Sequence, residues 1–313
     1  MKKYGFGVDV GGTTCKLGLF ETTGILLDKW EIKTDTSENG KNILDNIATA
    51  LKGKMEEKNI AMDEVQGIGI GIPGPVNEEG EVSVCVNLGW GHVAVAKELS
   101  EKMDGITVKA GNDANVAALG EMWQGGAKGF DDVVMVTLGT GVGGGIIVNS
   151  KMIAGTHGAG GEIGHITMNP HETETCGCGR KGCLEQYASA TGLVRLAKRA
   201  LAEEHEASVL DNLTEVTAKD VFDAYKDGDK VAATIVDKFA GILGRGLSII
   251  SCVADPDVFV IGGGVSKAGQ PLLDAVQKAF KEEAFRACTE TKFALATLGN
   301  DAGIYGCVQL ILE

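Results

Sequence analysis

Apolar positions along the chain change period several times, and each change marks an element. Tyr4–Val10 is rich in β-formers, Gly11-Gly12-Thr13-Thr14 interrupts the run, and Lys16–Phe20 resumes it. That order predicts a strand, a tight turn and a returning strand. A third strand around Ile25–Lys33 completes a meander. Leu44, Ile47, Leu51 and Met55 then recur at spacings of three and four, the stripe of an amphipathic helix. Val65–Ile72 reads as a buried strand closed by Pro73-Gly74-Pro75. Ile106–Ala110 reads as another, leading through Gly111-Asn112-Asp113 into a helix from Ala114 to Gln124.

The pattern then starts again. Asp132–Leu138 is strand-like, Gly139-Thr140-Gly141 turns, and Gly145–Val148 is strand-like. A shift of 128 residues places Val8 on Val136, Asp9 on Thr137 and Gly11 on Gly139. Helical spacing dominates the later part, over Leu193–Ala202, Val231–Ile249 and Leu272–Ala284, with a strand at Val258–Ile261 meeting Gly262-Gly263-Gly264. A last helix carries Ile304, Val308 and Ile311. Two related α/β halves, each led by a β-hairpin, account for this order.

Composition narrows the class. The 313 residues are 44% hydrophobic and 23% charged, the usage of a globular protein with room for two domains. A net charge of -14 opposes nucleic acid and anionic lipid as main partners. No stretch reaches the roughly 18 apolar residues of a membrane helix, and the two N-terminal lysines run straight into glycines and Asp9, so a cytoplasmic location is expected.

Glycine carries the next signal. Gly69, Gly71, Gly74 and Gly139, Gly141, Gly144 both match the dinucleotide fingerprint, but neither opens a helix as that fold requires. Glycine turns between two strands suit a different use, in which bare backbone approaches phosphate oxygens and successive N–H groups form an anion nest. Thr13, Thr14 and Thr140 add hydroxyls at the same places, and Asp9 could hold a magnesium ion through water. Plain turn geometry explains one such hairpin better than two in phase.

Five of the eight cysteines are scattered singly, whereas Cys176, Cys178 and Cys183 crowd together in a glycine-rich polar stretch. With His165 they make a closed Cys3His set for structural zinc, and His171 is the rival fourth ligand. Asp113, between a strand end and a helix start, reads first as a helix N-cap. It is also the acidic residue best placed to take a proton from an attacking hydroxyl in phosphoryl transfer. Glu162 and Glu185 flank the metal cluster, and by composition alone each could equally be surface charge.

Together these segments resemble the ROK family of sugar kinases and repressors. Asp9-Val10-Gly11-Gly12-Thr13-Thr14-Cys15-Lys16 looks like its first phosphate motif and Leu138–Gly145 like its second. Glu162–His165 and Cys176–Glu185 look like its zinc-region signatures, and Val260–Val265, with Gly262, Gly263 and Gly264, is similar to the strand and loop under adenosine. The resemblance implies an α/β fold of two actin-like, ribonuclease-H-like domains of the hexokinase–actin superfamily with a cleft between them. It sets a smaller domain at 1–112 plus about 299–313, completed by the C-terminal helix, and a larger one at 113–298 carrying the zinc site. It implies a hexose substrate, ATP, Mg2+ and Zn2+, with closure over hexose and Mg-ATP. Asp113 is the implied base, and Asn87, Asn112, Asp113, Glu162, His165 and Glu185 bind the sugar hydroxyls. His165 would hold zinc through one ring nitrogen and face the sugar with the other. At Val86-Asn87-Leu88-Gly89-Trp90 the chain lacks the prolines the family often has on either side of the Asn-Leu pair. Glucose is the leading substrate implied, with N-acetylmannosamine and fructose as alternatives, and a homodimer is usual. The family's repressors carry a helix-turn-helix ahead of the first motif, for which the eight residues before Asp9 leave no room.

Overall fold

Alternate residues of β1 (Tyr4–Val10) and β4 (Val65–Ile72) are apolar and glycine, and this alternation decides what packs on each face of the first sheet. The computed structural model describes residues 2–203 and 206–313. In chain order the remaining elements are β2 (Thr14–Glu21), β3 (Leu26–Lys33), α1 (Ile43–Lys58), α2 (Val95–Lys102), β5 (Val108–Asn112), α3 (Asp113–Gln124), β6 (Val133–Leu138), β7 (Val142–Val148) and β8 (Lys151–Met152). There follow α4 (Glu185–Ala188), α5 (Ala190–Ala202), α6 (Ala218–Lys226), α7 (Lys230–Ala254), β9 (Val258–Gly262), α8 (Gln270–Glu283), β10 (Lys292–Leu295) and α9 (Ala302–Leu312).

The chain divides into two compact units. The first takes the chain up to Asp131, Gly145–Gly161 and Leu298–Glu313. Its sheet has the order β3-β2-β1-β4-β5, with β1, β2 and β3 antiparallel and β1, β4 and β5 parallel. Phe6, Val8, Ile68 and Ile70 share one core with Ile43, Ile47 and Leu51 of α1 and Val95 and Leu99 of α2. Glycines take the alternate positions. A Cβ on Gly7 or Gly69 would fall 2.1 Å from the Ile304 oxygen or 1.7 Å from the Cys307 oxygen, so the backbone of α9 lies directly on the strands. Helix α3 meets α9 in the same way, with a Cβ on Gly306 falling 1.5 Å from the Val116 oxygen. Burial of Ile304, Cys307 and Val308 then fixes the C-terminal helix to this unit, at about 1.5–3 kcal/mol for each large aliphatic side chain.

The second unit takes Asp132–Gly144 and Glu162–Thr297. The second sheet has the order β10-β9-β6-β7-β8, with β6, β9 and β10 parallel and β7–β8 antiparallel. Read from its other end it matches the first sheet place by place, which is the duplication expected from the repeated hairpin. Phe259, Phe280 and Phe293 stack at 5.3–5.4 Å between centroids and join α8 to β9 and β10. No described helix is long and apolar enough to cross a membrane.

The first unit extends further than the range expected from sequence. It includes α3, because α3 and α9 meet at backbone contact through Gly120 and Gly306. It also includes Gly145–Gly161, where a Cβ on Gly145 would meet Ala118 of α3 at 2.6 Å. The Gly69-Gly71-Gly74 match also acquires its reason here. Gly69 and Gly71 are strand residues that admit α9 and α3, and only Gly74 (φ 131°) has a left-handed turn conformation.

Candidate functional site

In the parallel part of the first sheet, Asp9 pairs with Gly71 and Ile72 with Asn112, so β1, β4 and β5 end on the same side. Ligands of open α/β sheets sit beyond such carboxyl ends. Three expected groups arrive there by chain path alone: Asp9 near the end of β1, the glycine turn just after it, and Asp113 just after β5. Burial pushes the Asp9 carboxyl up from its ordinary value, and Lys16, its cross-strand partner, partly opposes this. Lys16 Nζ donates to the Asn300 backbone oxygen at 3.0 Å. The turn is closed by Gly11 N–H donating to the Thr14 oxygen (3.0 Å). Thr34 secures it, its hydroxyl donating to the Gly11 oxygen at 2.6 Å and its N–H to the Thr13 oxygen at 2.9 Å. Gly12, Thr13 and Thr14 are left exposed at the tip. Asn87 is exposed on a single helical turn, Val86–Leu88, and a Cβ on Gly12 would lie 3.8 Å from its backbone oxygen.

Asp113 is not the N-cap of α3, as its sequence context first suggests. Asn112 is the cap: its backbone is extended and its Oδ1 accepts from Asn115 N–H at 3.1 Å, while its Nδ2 donates to the Gly74 oxygen at 3.1 Å. Asp113 is therefore the first residue of the helix, half-buried, with Oδ1 accepting from Ala114 N–H at 2.8 Å. The N-terminal turn of a helix favours a negative charge. Sequence reasoning gave no role to Asn115, which is 2% exposed and donates to the Gly160 oxygen at 3.2 Å. Among the described residues its buried Oδ1 has no hydrogen-bond partner.

In the second unit, Gly139 N–H donates to the Gly141 oxygen at 3.0 Å, and Ala190 N–H ties the turn to the start of α5 at 2.8 Å. Thr140 is exposed. Glu185, the first residue of α4, accepts from Val142 N–H at 3.1 Å, and a Cβ on Gly141 would stand 2.2 Å from its Oε2. The carboxylate thus sits on the second glycine turn. Gly263 has φ 81° and presses on Leu138, where a Cβ would meet the backbone oxygen at 2.5 Å. Gly262 is buried and Gly264 faces open space, beside a cavity of about 170 Å3 lined by Phe222, Val265, Ala268, Lys219, Lys226 and Lys267.

Glu162 is exposed and precedes a helical turn, Ile163–His165, that packs on β7, since a Cβ on Gly164 would meet the Val142 oxygen at 2.1 Å. The donor atoms of His165, Cys176, Cys178 and Cys183 all lie within 4.8 Å of one another. Cys178 and Cys183 sulfurs are 3.7 Å apart, and Cys176 Sγ is 3.9 Å from His165 Nδ1. A tetrahedral ion with bonds of about 2.3 Å to sulfur needs a sulfur–sulfur spacing of about 3.8 Å, so the donor set fits zinc. His165 Nε2 points instead toward Glu162, 3.8 Å from its Oε2. His171 is exposed and outside this donor group. Burial pushes the Cys183 and Cys176 thiols up, so a cation would be what draws them into the thiolate form.

Comparison with known proteins places these features in one lineage. Residues 5–313 match the ROK family profile. A glucokinase of Halalkalibacterium halodurans is 42% identical over 312 residues, covering 98% of this chain and 94% of that protein. The crystal structure of a ROK family glucokinase from Streptomyces griseus in complex with glucose and AMPPNP superposes with a TM-score of 0.73 at 35% identity, covering 98% of each chain. The ROK hexokinase from Thermus thermophilus gives a TM-score of 0.80 at 30% identity, over 98% of this chain and 97% of that one. The two sheets and their shared order define a two-domain α/β protein of the actin-like, hexokinase-like class. Within that class, the chain belongs to the ROK family.

Proposed function

We propose that this protein is an ATP-dependent hexokinase of the glucokinase type, transferring the γ-phosphoryl group of ATP to the C6 hydroxyl of glucose. The observation that carries this reading is the meeting of a glycine turn, Asp9 and Asp113 at the carboxyl ends of β1 and β5. Similarity over nearly the whole chain to glucokinases, one of them solved with glucose and an ATP analogue, supports the choice of substrates.

Asp113 takes the proton from the attacking hydroxyl onto its carboxylate, as an alcohol nucleophile in phosphoryl transfer requires. Asn87, Asn112, Glu162, His165 and Glu185 bind the other hydroxyls and orient C6. The turns at Gly11–Thr14 and Gly139–Gly141 hold the phosphates through backbone N–H groups and threonine hydroxyls, with Lys16 adding charge. Gly262, Gly263 and Gly264 border the adenosine, and the small cavity beside Gly264 supports that placement. Asp9 would hold Mg2+, which neutralises charge on the phosphates. The donors of His165, Cys176, Cys178 and Cys183 would hold zinc, which fixes the ring of His165 so that Nε2 serves the sugar. A reducing cytoplasm suits a site built on three thiols, and a homodimer is the assembly the family resemblance implies.

The test is ADP release from Mg-ATP across glucose, N-acetylmannosamine, N-acetylglucosamine, fructose, mannose and allose. Turnover fastest with glucose is expected. Preference for another sugar would move the substrate, and silence with folded, zinc-loaded protein would overturn the kinase reading.

A further inference from the structure

The loop between His165 and Cys176 is fastened at a second place, away from the metal donors. Glu172, in this loop, is only 7% exposed. Its carboxylate accepts from the Tyr187 hydroxyl at 2.6 Å, from the N–H groups of Thr173 (2.9 Å) and Glu174 (3.2 Å), and from Arg195 Nη2. Arg195 also donates to Glu174 at 3.1 Å and lies over the Tyr187 ring, 4.9 Å from its centroid. Arg199 donates to Glu174 at 2.7 Å, and Asn169 Nδ2 to the Tyr187 hydroxyl at 3.0 Å. Two arginines thus balance two glutamates around one phenol. The Tyr187 hydrogen bond, with help from the two backbone N–H groups and Arg195, holds the Glu172 carboxyl down at about 2. A buried carboxylate stabilises only when its own partners are present, as those of Glu172 are, although among the described residues Arg195 Nε is buried with no partner.

Three successive residues of α4 connect this cluster to the site. Glu185 accepts from Val142 N–H at the second glycine turn. Gln186 accepts from Gly182 N–H at 2.7 Å and Cys183 N–H at 3.1 Å, holding the returning strand of the metal loop. Tyr187 holds Glu172. A shift of the Glu172 end would therefore be felt at the residues on either side of the metal donors.

We propose that Glu172, Tyr187 and Arg195 form a latch, separate from the metal donors, that positions His165 and Glu185 for the hexose. They are positioning residues, and the proposal rests on the hexose reading above. Its test is the glucose Kd measured by calorimetry without ATP, together with KM for glucose and ATP, zinc content and melting temperature, on the full zinc-loaded chain. Glu172→Ala is expected to weaken glucose binding about tenfold with KM for ATP within about twofold and zinc content unchanged. Tyr187→Phe should weaken it about threefold. Glu172→Gln, which keeps an acceptor, should recover much of the loss. A zinc-replete Glu172→Ala protein with wild-type glucose Kd, whatever its melting temperature, would overturn the latch. If that variant does not fold, Tyr187→Phe decides by the same measurement. If the wild-type protein binds none of the sugars, the hexose reading falls on its own. The latch is then judged by the rate of zinc loss to a chelator, which Glu172→Ala must raise to sustain it, and equal rates would sink it.

Discussion

Replacing Gly141 with alanine should cripple glucose use while sparing the fold. The glycine is not among those with positive φ, so alanine meets no left-handed strain there. The conflict is steric and local, because the new Cβ would stand 2.2 Å from Glu185 Oε2. Glu185 must swing away, and its hydrogen bond from Val142 N–H at 3.1 Å is lost. A hydrogen bond to a charged group contributes about 1.5–3 kcal/mol. If that whole term serves to place Glu185 for the hexose, kcat/KM for glucose falls roughly 10- to 150-fold. Gly139 provides the control. It belongs to the same turn, and a Cβ there has nothing within 4 Å. Gly139→Ala leaves Glu185 seated, and its effect should appear in KM for ATP, as the phosphate role proposed for the turn requires. Initial rates with each substrate varied, plus calorimetric glucose binding, separate the two variants. A Gly141→Ala enzyme with normal glucose Kd and normal kcat/KM for glucose would refute the placement of Glu185 in hexose recognition.

Asp113→Asn should bind glucose within a few-fold of wild type yet lose kcat by more than the roughly 10²–10⁴ of simple acid–base loss, and rapid-quench rates near normal would remove Asp113 as base. Cys178→Ser should lose zinc by elemental analysis and weaken glucose binding through His165, so metal retained at full stoichiometry would disprove the donor set. Gly306→Ala puts a Cβ 1.5 Å from the Val116 oxygen and should cost more than about 4 kcal/mol, read as collapse of the melting temperature. Gly53→Ala in α1, where a Cβ meets nothing within 4 Å, should raise stability by about 0.5–1 kcal/mol. Glu172 is held at about 2 against an ordinary 4.5, so its stabilisation is present above pH 4.5 and lost as pH falls toward 2. The urea stability gap between wild type and Glu172→Gln, at most about 3 kcal/mol, should be flat from pH 6 to 8 and shrink in acid.

The elements that chemistry needs were legible in the sequence wherever one short segment carries its own reason. Gly11–Thr14 sits between two β-rich runs, so a hairpin turn follows from local pattern, and the phosphate use proposed for it rests on bare backbone beside hydroxyls. The cysteine spacing likewise reads as metal ligation, although the choice between His165 and His171 needs the donor geometry. Asn112 and Asp113 show where local signals stop. Both side chains cap helices well, and only a strand register that runs to Asn112 makes the first the cap and the second the first residue of the helix. Short helices escape the period count for a related reason. Helix α2 buries Val95 and Leu99, and α6 buries Val221, Phe222 and Ala224, too few in either case to make a stripe. The glycines of β1 and β4 are harder still. Their cause is the backbone of α9, which arrives from the far end of the chain, so the same spelling that imitates a dinucleotide loop is a seat for a helix. Glu172 belongs with them: as a lone acid in a polar loop it reads as solvated charge, and only Tyr187 and Arg195, on α4 and α5, make it a fixed point. Groups proposed to touch ligands are spelled in neighbouring residues because turns and strand ends are local. Groups proposed to hold those residues in place depend on contacts between distant segments, and mutagenesis guided by motifs alone would pass over them.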